Sequence, residues 1–403
     1  MLKNYLSKFE DPRAPLLGPN IKCLKFVGLL LPESMKWRII YIILHAFQSL
    51  FVITQYIDVW YIKSDKSLLY NNLKTTMLGT VNMAKALSFL AWSKYWKDIL
   101  DYVTKADLEQ RLSNDKVNHR IISHTTSYCR KVTYINWSLE ILTCLFVIVS
   151  PILKYILSPM YRENIRNGDE DYLAVVNSWV PWDKRTLAGY IFASAYQIFA
   201  ALMAVAWLSG YDATAIVIMV FFKGEMKLLR QDSSKIFGSE GEPVGVEEAK
   251  RRLKRCHERH QEMMKFAKLF NSCLSPCMLL YVTVCSIMLC VTSIQIMTEK
   301  SATQMILTAE YFLFGVAQLF LYCWHSNEVF YSSQDLSLGP YESCWWLEAV
   351  HRKDLILLMM QYKKTVVFSA GPFVELVMPT FISILRGAYS FFTILLKSYD
   401  FEE

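Results

Sequence analysis

Residues 186–222 read "TLAGYIFASAYQIFAALMAVAWLSGYDATAIVIMVFF", and Asp212 is the single charge among them. This run is far longer than the roughly 20 apolar residues that cross a bilayer as a helix. At helical rise it reaches about 55 Å, against a hydrocarbon core of about 30 Å. The helix must therefore project beyond the membrane at one end. A strand reading fails, because the run lacks the alternation of a barrel strand, and a spanning segment must satisfy its backbone internally.

The rest of the chain follows the same logic. Of its 403 residues, 53% are hydrophobic and 20% charged, a composition that argues against a string of soluble domains. Besides the opening stretch, hydropathy marks spans near 38–60, 75–92, 132–153, 269–298, 302–324 and 374–396. The N-terminal "MLKNYLSKFEDPRAPLLGPN" has no apolar core of signal-peptide type, so the first span is expected to direct insertion. Six of the ten cysteines (Cys144, Cys273, Cys277, Cys285, Cys290 and Cys323) lie in apolar windows and read as packing thiols. "CHERH" at 256–260 reads as part of a solvated basic helix face, since structural zinc needs four closely placed ligands.

Basic residues set the expected orientation. With the N-terminus in the cytosol, 30 Lys and Arg fall on the inner side, in the N-terminal segment, the loops 93–132 and 223–268 and the connection 325–364, with 9 on the outer side and 4 within spans. An odd number of crossings then puts "SYDFEE" outside the cell. This is the reverse of a G-protein-coupled receptor. That family's Asp-Arg-Tyr and Asn-Pro-x-x-Tyr are absent from the third and last spans, and the outer loop 158–185 has no cysteine. Enzyme signatures are missing too: there is no Gly-rich phosphate loop, HExxH or nucleophile elbow. A transporter is expected to show related halves, and none is visible. "NWS" at Asn136 matches a glycosylation motif but falls on the cytosolic start of the third span. No metal, cofactor or nucleic acid is expected.

The expected class is an all-α membrane protein of seven transmembrane helices. Its parts are a cytosolic segment 1–37, spans one to four over 38–222, and a basic loop with a helical stem over 223–268. Spans five and six occupy 269–324, a cytosolic anchor with a short helix 325–372, the terminal helix 373–397 and an outer tail 398–403. Within these, "DSSKIFGSEGEPVG" (232–245) reads as a mobile linker, and "VEEAKRRLKRCHERHQEMMKF" (246–266) as a polar helix running into span five. Such a basic helix can also bind calmodulin or anionic lipid, but an extended stem is the plainer account.

The stretch 321–397 resembles the C-terminal signature of the insect odorant receptors: "LYCWHSNEVFYSSQDL", "YESCW" at 341–345, "HRKDLILLMMQYKK" and "SAGPFVELVMPTFISILRGAYSFFTILLK". Upstream, "LKFVGLLLPE" and "SWVPWDKRTLAGY" fit as well. The resemblance implies an odour-specific subunit of a ligand-gated, non-selective cation channel. It also implies a heterotetramer with a common co-receptor, in the plasma membrane of olfactory sensory neurons. A metabotropic seven-helix chemoreceptor is the alternative.

By that resemblance the terminal helix lines the pore. Ile394 falls near a hydrophobic gate, which closes by dewetting, and Lys397 falls at the outer mouth. Arg386 lies eight residues below the gate, roughly 12 Å by helix rise. Facing lipid would cost it at least about 2.5 kcal/mol, so it is expected to face an aqueous vestibule or a subunit partner. Satisfaction by carbonyls or by Glu375 is the plainer alternative.

The resemblance also implies a small, volatile, apolar ligand in the outer half of the bundle. The residues assigned to it are Met77 and Thr80, Phe146 and Ser150, Tyr196, Phe199 and Met203, and Tyr311 and Phe314. Within each helix they are spaced to share a face. Ordinary helix packing competes with ligand contact at every one of them. Among buried ionisable residues, Lys85 and Glu140 read as a mutually satisfying pair. Glu310, if it borders the pocket, favours ligands with a hydrogen-bond donor.

Overall fold

A computed structural model describes residues 10–64, 66–239, 242–298, 302–347 and 350–400. In chain order the helices are α1 (Pro19–Phe26), α2 (Met35–Ile62), α3 (Lys66–Ala91), α4 (Ser93–Arg111), α5 (Lys116–Leu157) and α6 (Pro159–Asn167). They continue with α7 (Leu187–Ser233), α8 (Val246–Thr298), α9 (Ala302–Gln334), α10 (Leu338–Glu342), α11 (Arg352–Tyr362) and α12 (Met378–Asp400). Each of the seven expected spans lies on its own long helix: α2, α3, α5, α7, α8, α9 and α12. Among the described residues, α2, α5, α7 and α8 are long and apolar enough to cross a membrane by length and composition alone.

Local chemistry explains several boundaries. Thr186 caps α7 by accepting a bond from the Gly189 amide at 3.1 Å, and Asp115 caps α5 through the Val117 amide at 2.9 Å. Ser158 and Pro159 start α6, and Gly168 ends it in the left-handed conformation at φ 79°. The stem 246–266 and span five form one continuous helix of 53 residues, as the sequence suggests.

Helix α7 is the axis of the molecule. It runs along α5 and also packs on α1, α3, α8 and α9. Its distal half is laced to the neighbours by charge. Arg259 of α8 reaches Glu225 and Asp232 of α7, each at 2.5 Å. Asn118 of α5 donates to Asp232 at 2.9 Å, and Gln110 of α4 donates to Glu225. The Lys235 ammonium, bonded to Asp115, holds that carboxyl below the usual carboxylate range.

Three expectations need correction. The stretch 93–132, read as a loop, is α4 and the first turns of α5. Trp96, Ile99, Leu100 and Val103 give α4 a buried stripe at helical spacing, and most of its charges face outward, Asp107 being buried. The expected mobile linker contains a short paired ladder: β1 (Gly238–Ser239) pairs antiparallel with β2 (Glu242–Pro243), next to the buried Ile236 and Phe237. The "CHERH" face is packed rather than solvated. Cys256 and His260 are buried, His260 lies against the Tyr362 ring at 4.8 Å, and His257 bonds Gln361 at 2.6 Å. Burial pushes the Cys256 thiol up to about 12 and the His260 imidazole down to about 4.

A second hairpin, β3 (Ser369–Ala370) with β4 (Val374–Glu375), precedes α12. Its turn residue Gly371 has φ 65° and donates to the Ser275 carbonyl of α8 at 3.1 Å. A side chain there would meet Leu279 at 2.8 Å, so the close approach requires glycine. Helix α12 packs on α8 and α9, with Phe381 edge-on to Phe320 at 5.6 Å.

Candidate ligand cavity

Helical spacing builds the site. On α2, Gln48, Phe51, Val52 and Gln55 form one buried face of a helix otherwise rich in exposed apolar residues. Helix α3 presents Thr75, Leu78, Gly79 and Asn82, and α5 presents Glu140, Thr143, Cys144 and Val147. Each set follows the i, i+3, i+4, i+7 pattern of a single face. Helix α7 contributes Ala200, Ala201 and Ala204, and α9 contributes Tyr311 and Phe314. These alanines and Gly79 leave the space. The result is a cavity of about 90 Å³.

Two further spaces adjoin it. One of about 120 Å³ lies toward the 168–186 segment, lined by Thr75, Phe146, Val147, Ser150, Thr308, Glu310 and Tyr311. The other, about 20 Å³, lies between α3, α8 and α9 and reaches Gln318. Tyr311 borders all three.

The roof is the segment between α6 and α7. The amides of Val175 and Val176 both donate to Gln197 Oε1, at 3.1 and 3.3 Å, and Gln197 Nε2 donates to Ser178 at 3.1 Å. The Trp179 amide donates to the Thr54 carbonyl at 3.0 Å, and Tyr190 donates to the Leu173 carbonyl at 3.2 Å. Phe51, Val175, Val176 and Ala200 close over the cavity as a small apolar cluster.

Beneath the cavity lies a buried ion pair. Lys85 Nζ donates to both oxygens of Asp212, at 2.7 and 2.9 Å, with side-chain exposures of 1% and 0%. Tyr322 donates to Asp212 at 2.6 Å, and Gln318 donates to it as well. The Lys85 ammonium also lies over the Tyr281 ring at 4.8 Å. The expected Lys85–Glu140 pair is therefore not formed. Glu140 instead accepts from Asn136 at 2.7 Å and from Ser209. Sequence reading treated Asp212 only as the charge on a projecting helix, and nothing linear ties it to Lys85, 127 residues away. Asn136, of the "NWS" motif, is buried in the same cluster.

Of the ligand residues expected from sequence, Phe146, Ser150, Tyr311 and Phe314 border these spaces. The other five do not line them. Met77 and Met203 pack against the main core. Thr80 bonds Tyr56 at 2.7 Å, Tyr196 lies against Phe47 and Phe51, and Phe199, partly exposed, lies edge-on to Phe47. The amides Gln48, Gln55 and Asn82 were missed. Polar residues spaced along apolar helices were the signal for them. Glu310 does border the outer space, accepting from Thr143 at 2.6 Å.

Arg386 is exposed on α12, with no hydrogen bond or ion pair among the described residues, so neither carbonyls nor Glu375 satisfy it there. It shares an open face with Ile382, Ser383, Tyr389 and Ser390. Ile394 and Lys397 continue the helical backbone, but their side chains lie outside those described.

A seven-helix membrane bundle with a roofed internal cavity is the form of a multi-pass receptor. The 7tm Odorant receptor model matches residues 67–389, more than half of the chain, and the chain belongs to that family. Odorant receptor 30a of Drosophila melanogaster is 20% identical over 402 residues, spanning 98% of this chain and 99% of that one. Odorant receptor Or2 of Anopheles gambiae is 28% identical over 149 residues, covering 37% of this chain and 39% of Or2. The fold is similar to that of the insect olfactory receptor OR5 from Machilis hrabei, with a TM-score of 0.80, 15% identity and 98% of each chain covered. The same receptor solved in complex with eugenol gives a TM-score of 0.79 at 16% identity. Family membership makes this chain a receptor and not an enzyme.

Proposed function

We propose that this chain is the odorant-binding subunit of a heteromeric, ligand-gated, non-selective cation channel that assembles with a co-receptor of the same family. The observation that carries the reading is the roofed cavity between α2, α3, α5, α7 and α9, apolar over most of its wall. Cavities of this kind suit small volatile molecules, which gain dispersion contact and need few polar anchors. Phe146, Ser150, Tyr311 and Phe314, with Gln48, Gln55, Asn82 and Thr143, are the contacts proposed. Binding of eugenol by the Machilis receptor is consistent with a ligand of that size.

Topology and pore belong to the same proposal. The bias of 30 basic residues to 9 supports a cytosolic N-terminus and an extracellular C-terminus. The open face of α12, bearing Arg386, supports a terminal helix that lines a shared pore in the plasma membrane of olfactory neurons. Ile394 is then the gate, Lys397 the outer mouth and Arg386 part of the vestibule.

The test is expression with and without the co-receptor while volatiles are screened under voltage clamp. The expected result is a millisecond-scale, nucleotide-independent cation current only when both subunits are present. A current abolished by blocking G-protein signalling would instead establish the metabotropic reading. Ala201→Phe, which fills the cavity, is expected to remove responses to all volatiles without lowering surface expression. Labelling of a C-terminal tag on intact cells checks the topology.

A further inference from the structure

The cavity wall contains three side-chain amides whose carbonyl oxygens have no protein partner among the described residues: Gln48 Oε1, Gln55 Oε1 and Asn82 Oδ1. All three residues are more than nine-tenths buried, at 3%, 2% and 4% exposure. Each lines the same space of about 90 Å³. Folded proteins leave very few buried acceptors unmatched, because such a group has given up water and gained nothing in return.

Asn82 is the most constrained of the three. Its Nδ2 donates to the Ala204 carbonyl at 2.6 Å, so turning the amide over would set oxygen against oxygen. Its Oδ1 is therefore a fixed acceptor. Gln48 and Gln55 make no hydrogen bond among the described residues and can turn either end inward. The wall's threonine hydroxyls are committed elsewhere. Thr75 donates to the Asn72 carbonyl at 3.0 Å, and Thr143 lies between the Leu139 carbonyl and Glu310, at 3.0 and 2.6 Å. The Glu140 oxygens already accept from Asn136 and Ser209. The polar group whose role the fold fixes and leaves unmatched is thus an acceptor, Asn82 Oδ1, while the Gln48 and Gln55 amides can present either end to a ligand.

We infer that the cavity is built for a neutral ligand carrying a hydroxyl donor, an alcohol or phenol, in preference to an ether, ester or hydrocarbon of the same size. The inference rests on the reading of this cavity as the ligand site. A hydroxyl placed against Asn82 Oδ1, with Gln48 and Gln55 turning to suit, satisfies groups the fold leaves unmatched. An ether of equal size fills the space but brings no donor. A site whose polar groups need a hydroxyl discriminates more strongly than one that only measures shape. A charged amine would supply donors too, but must shed its hydration on entering an apolar chamber.

Matched isomeric pairs test this on the full chain expressed with its co-receptor: octanol and methyl heptyl ether, para-ethylphenol and para-methylanisole, phenylethanol and benzyl methyl ether. Potency is read from whatever current the complex gives. In the unmodified chain the hydroxyl member is expected to be about tenfold or more the more potent of each responding pair. Asn82→Leu should bring that ratio close to one, and Gln48→Leu combined with Gln55→Leu should lower it severalfold. The ratio is taken within one variant, so expression level cancels. Should Asn82→Leu fail to reach the surface, the double glutamine variant carries the test, because those amides hold nothing else in place.

Equal potency within pairs, a ratio unmoved by the amide variants, or silence toward every hydroxyl compound overturns the inference. Ala201→Phe separates the two readings. If it leaves responses intact, the cavity is not the ligand site and both fall. If it abolishes them while the amide variants leave the ratio unchanged, the site stands and the hydroxyl preference alone is lost.

Discussion

The two halves of α7 have the same apolar character and opposite surroundings. From Leu187 to Ala206, burial is confined to one side, at Gly189, Ala193, Gln197 and Ala200, and large residues such as Ile191, Phe192 and Leu202 point outward. From Trp207 to Phe222 every residue is buried. In lipid an outward phenylalanine costs nothing, and small inward residues let helices approach or leave a cavity. Beyond the membrane the same apolar surface must be enclosed by protein. At 47 residues the helix is about 70 Å long, enough to meet both conditions. The first half is consequently the part that lines the cavity, and the second is the part that holds the molecule together.

The largest expected effect lies where the halves meet. Asp212→Leu leaves the Lys85 charge buried without its counter-ion, at a cost of about 3–5 kcal/mol. Loss of surface expression is the expected readout, with recovery in the double variant Lys85→Met, Asp212→Leu. Recovery would mean the pair is replaceable by apolar packing; no recovery would mean its hydrogen bonds are needed as a unit.

Next comes a direct contrast. Phe222→Ala, in the enclosed half, should cost about 3–5 kcal/mol through the cavity it opens. Phe192→Ala, 70% exposed in the upper half, should stay within about 0.5 kcal/mol. Thermal unfolding of the two purified variants in detergent makes the comparison, and equal losses would break the two-halves account.

A smaller effect is expected at the roof. Gln197→Leu removes the acceptor shared by the Val175 and Val176 amides, about 1–3 kcal/mol of local stability. Faster hydrogen exchange across 173–178 is the signature, with little change in the distal half.

The last test concerns pH. His260, buried in the stem, has its folded-state pKa lowered to about 4, mainly by burial, with further contributions from His257 and Lys364. Its contribution is full above the unfolded value of about 6.5 and is lost as pH falls from there toward 4. After allowance for solvent screening the loss is about 1–2 kcal/mol. His260→Leu should flatten the acid side of the stability profile by that amount, leaving the neutral side unchanged.

Helix positions were legible from hydropathy because a bilayer demands long uninterrupted runs, and these leave a linear signature. Helix α4 was not legible as structure. Its stripe at Trp96, Ile99, Leu100 and Val103 is hidden by the surrounding charges that suggested a loop. Four of the nine residues expected at the ligand border a cavity, Tyr311 most extensively. The five others, Met77, Thr80, Tyr196, Phe199 and Met203, sit on the anticipated helices but are turned elsewhere. Identifying a helix is easier than fixing its rotation, because in an apolar run every face has nearly the same composition.

The sequence by itself determined an all-helical membrane chain, the places of its seven long helices and the family it belongs to. Those properties follow from local composition and from motifs read within short windows. Only the tertiary structure decided that Lys85 answers to Asp212 rather than Glu140, and that Gln48, Gln55 and Asn82 converge on one chamber. Such pairings depend on helix rotation and on contacts between segments far apart in the chain, which no local pattern encodes.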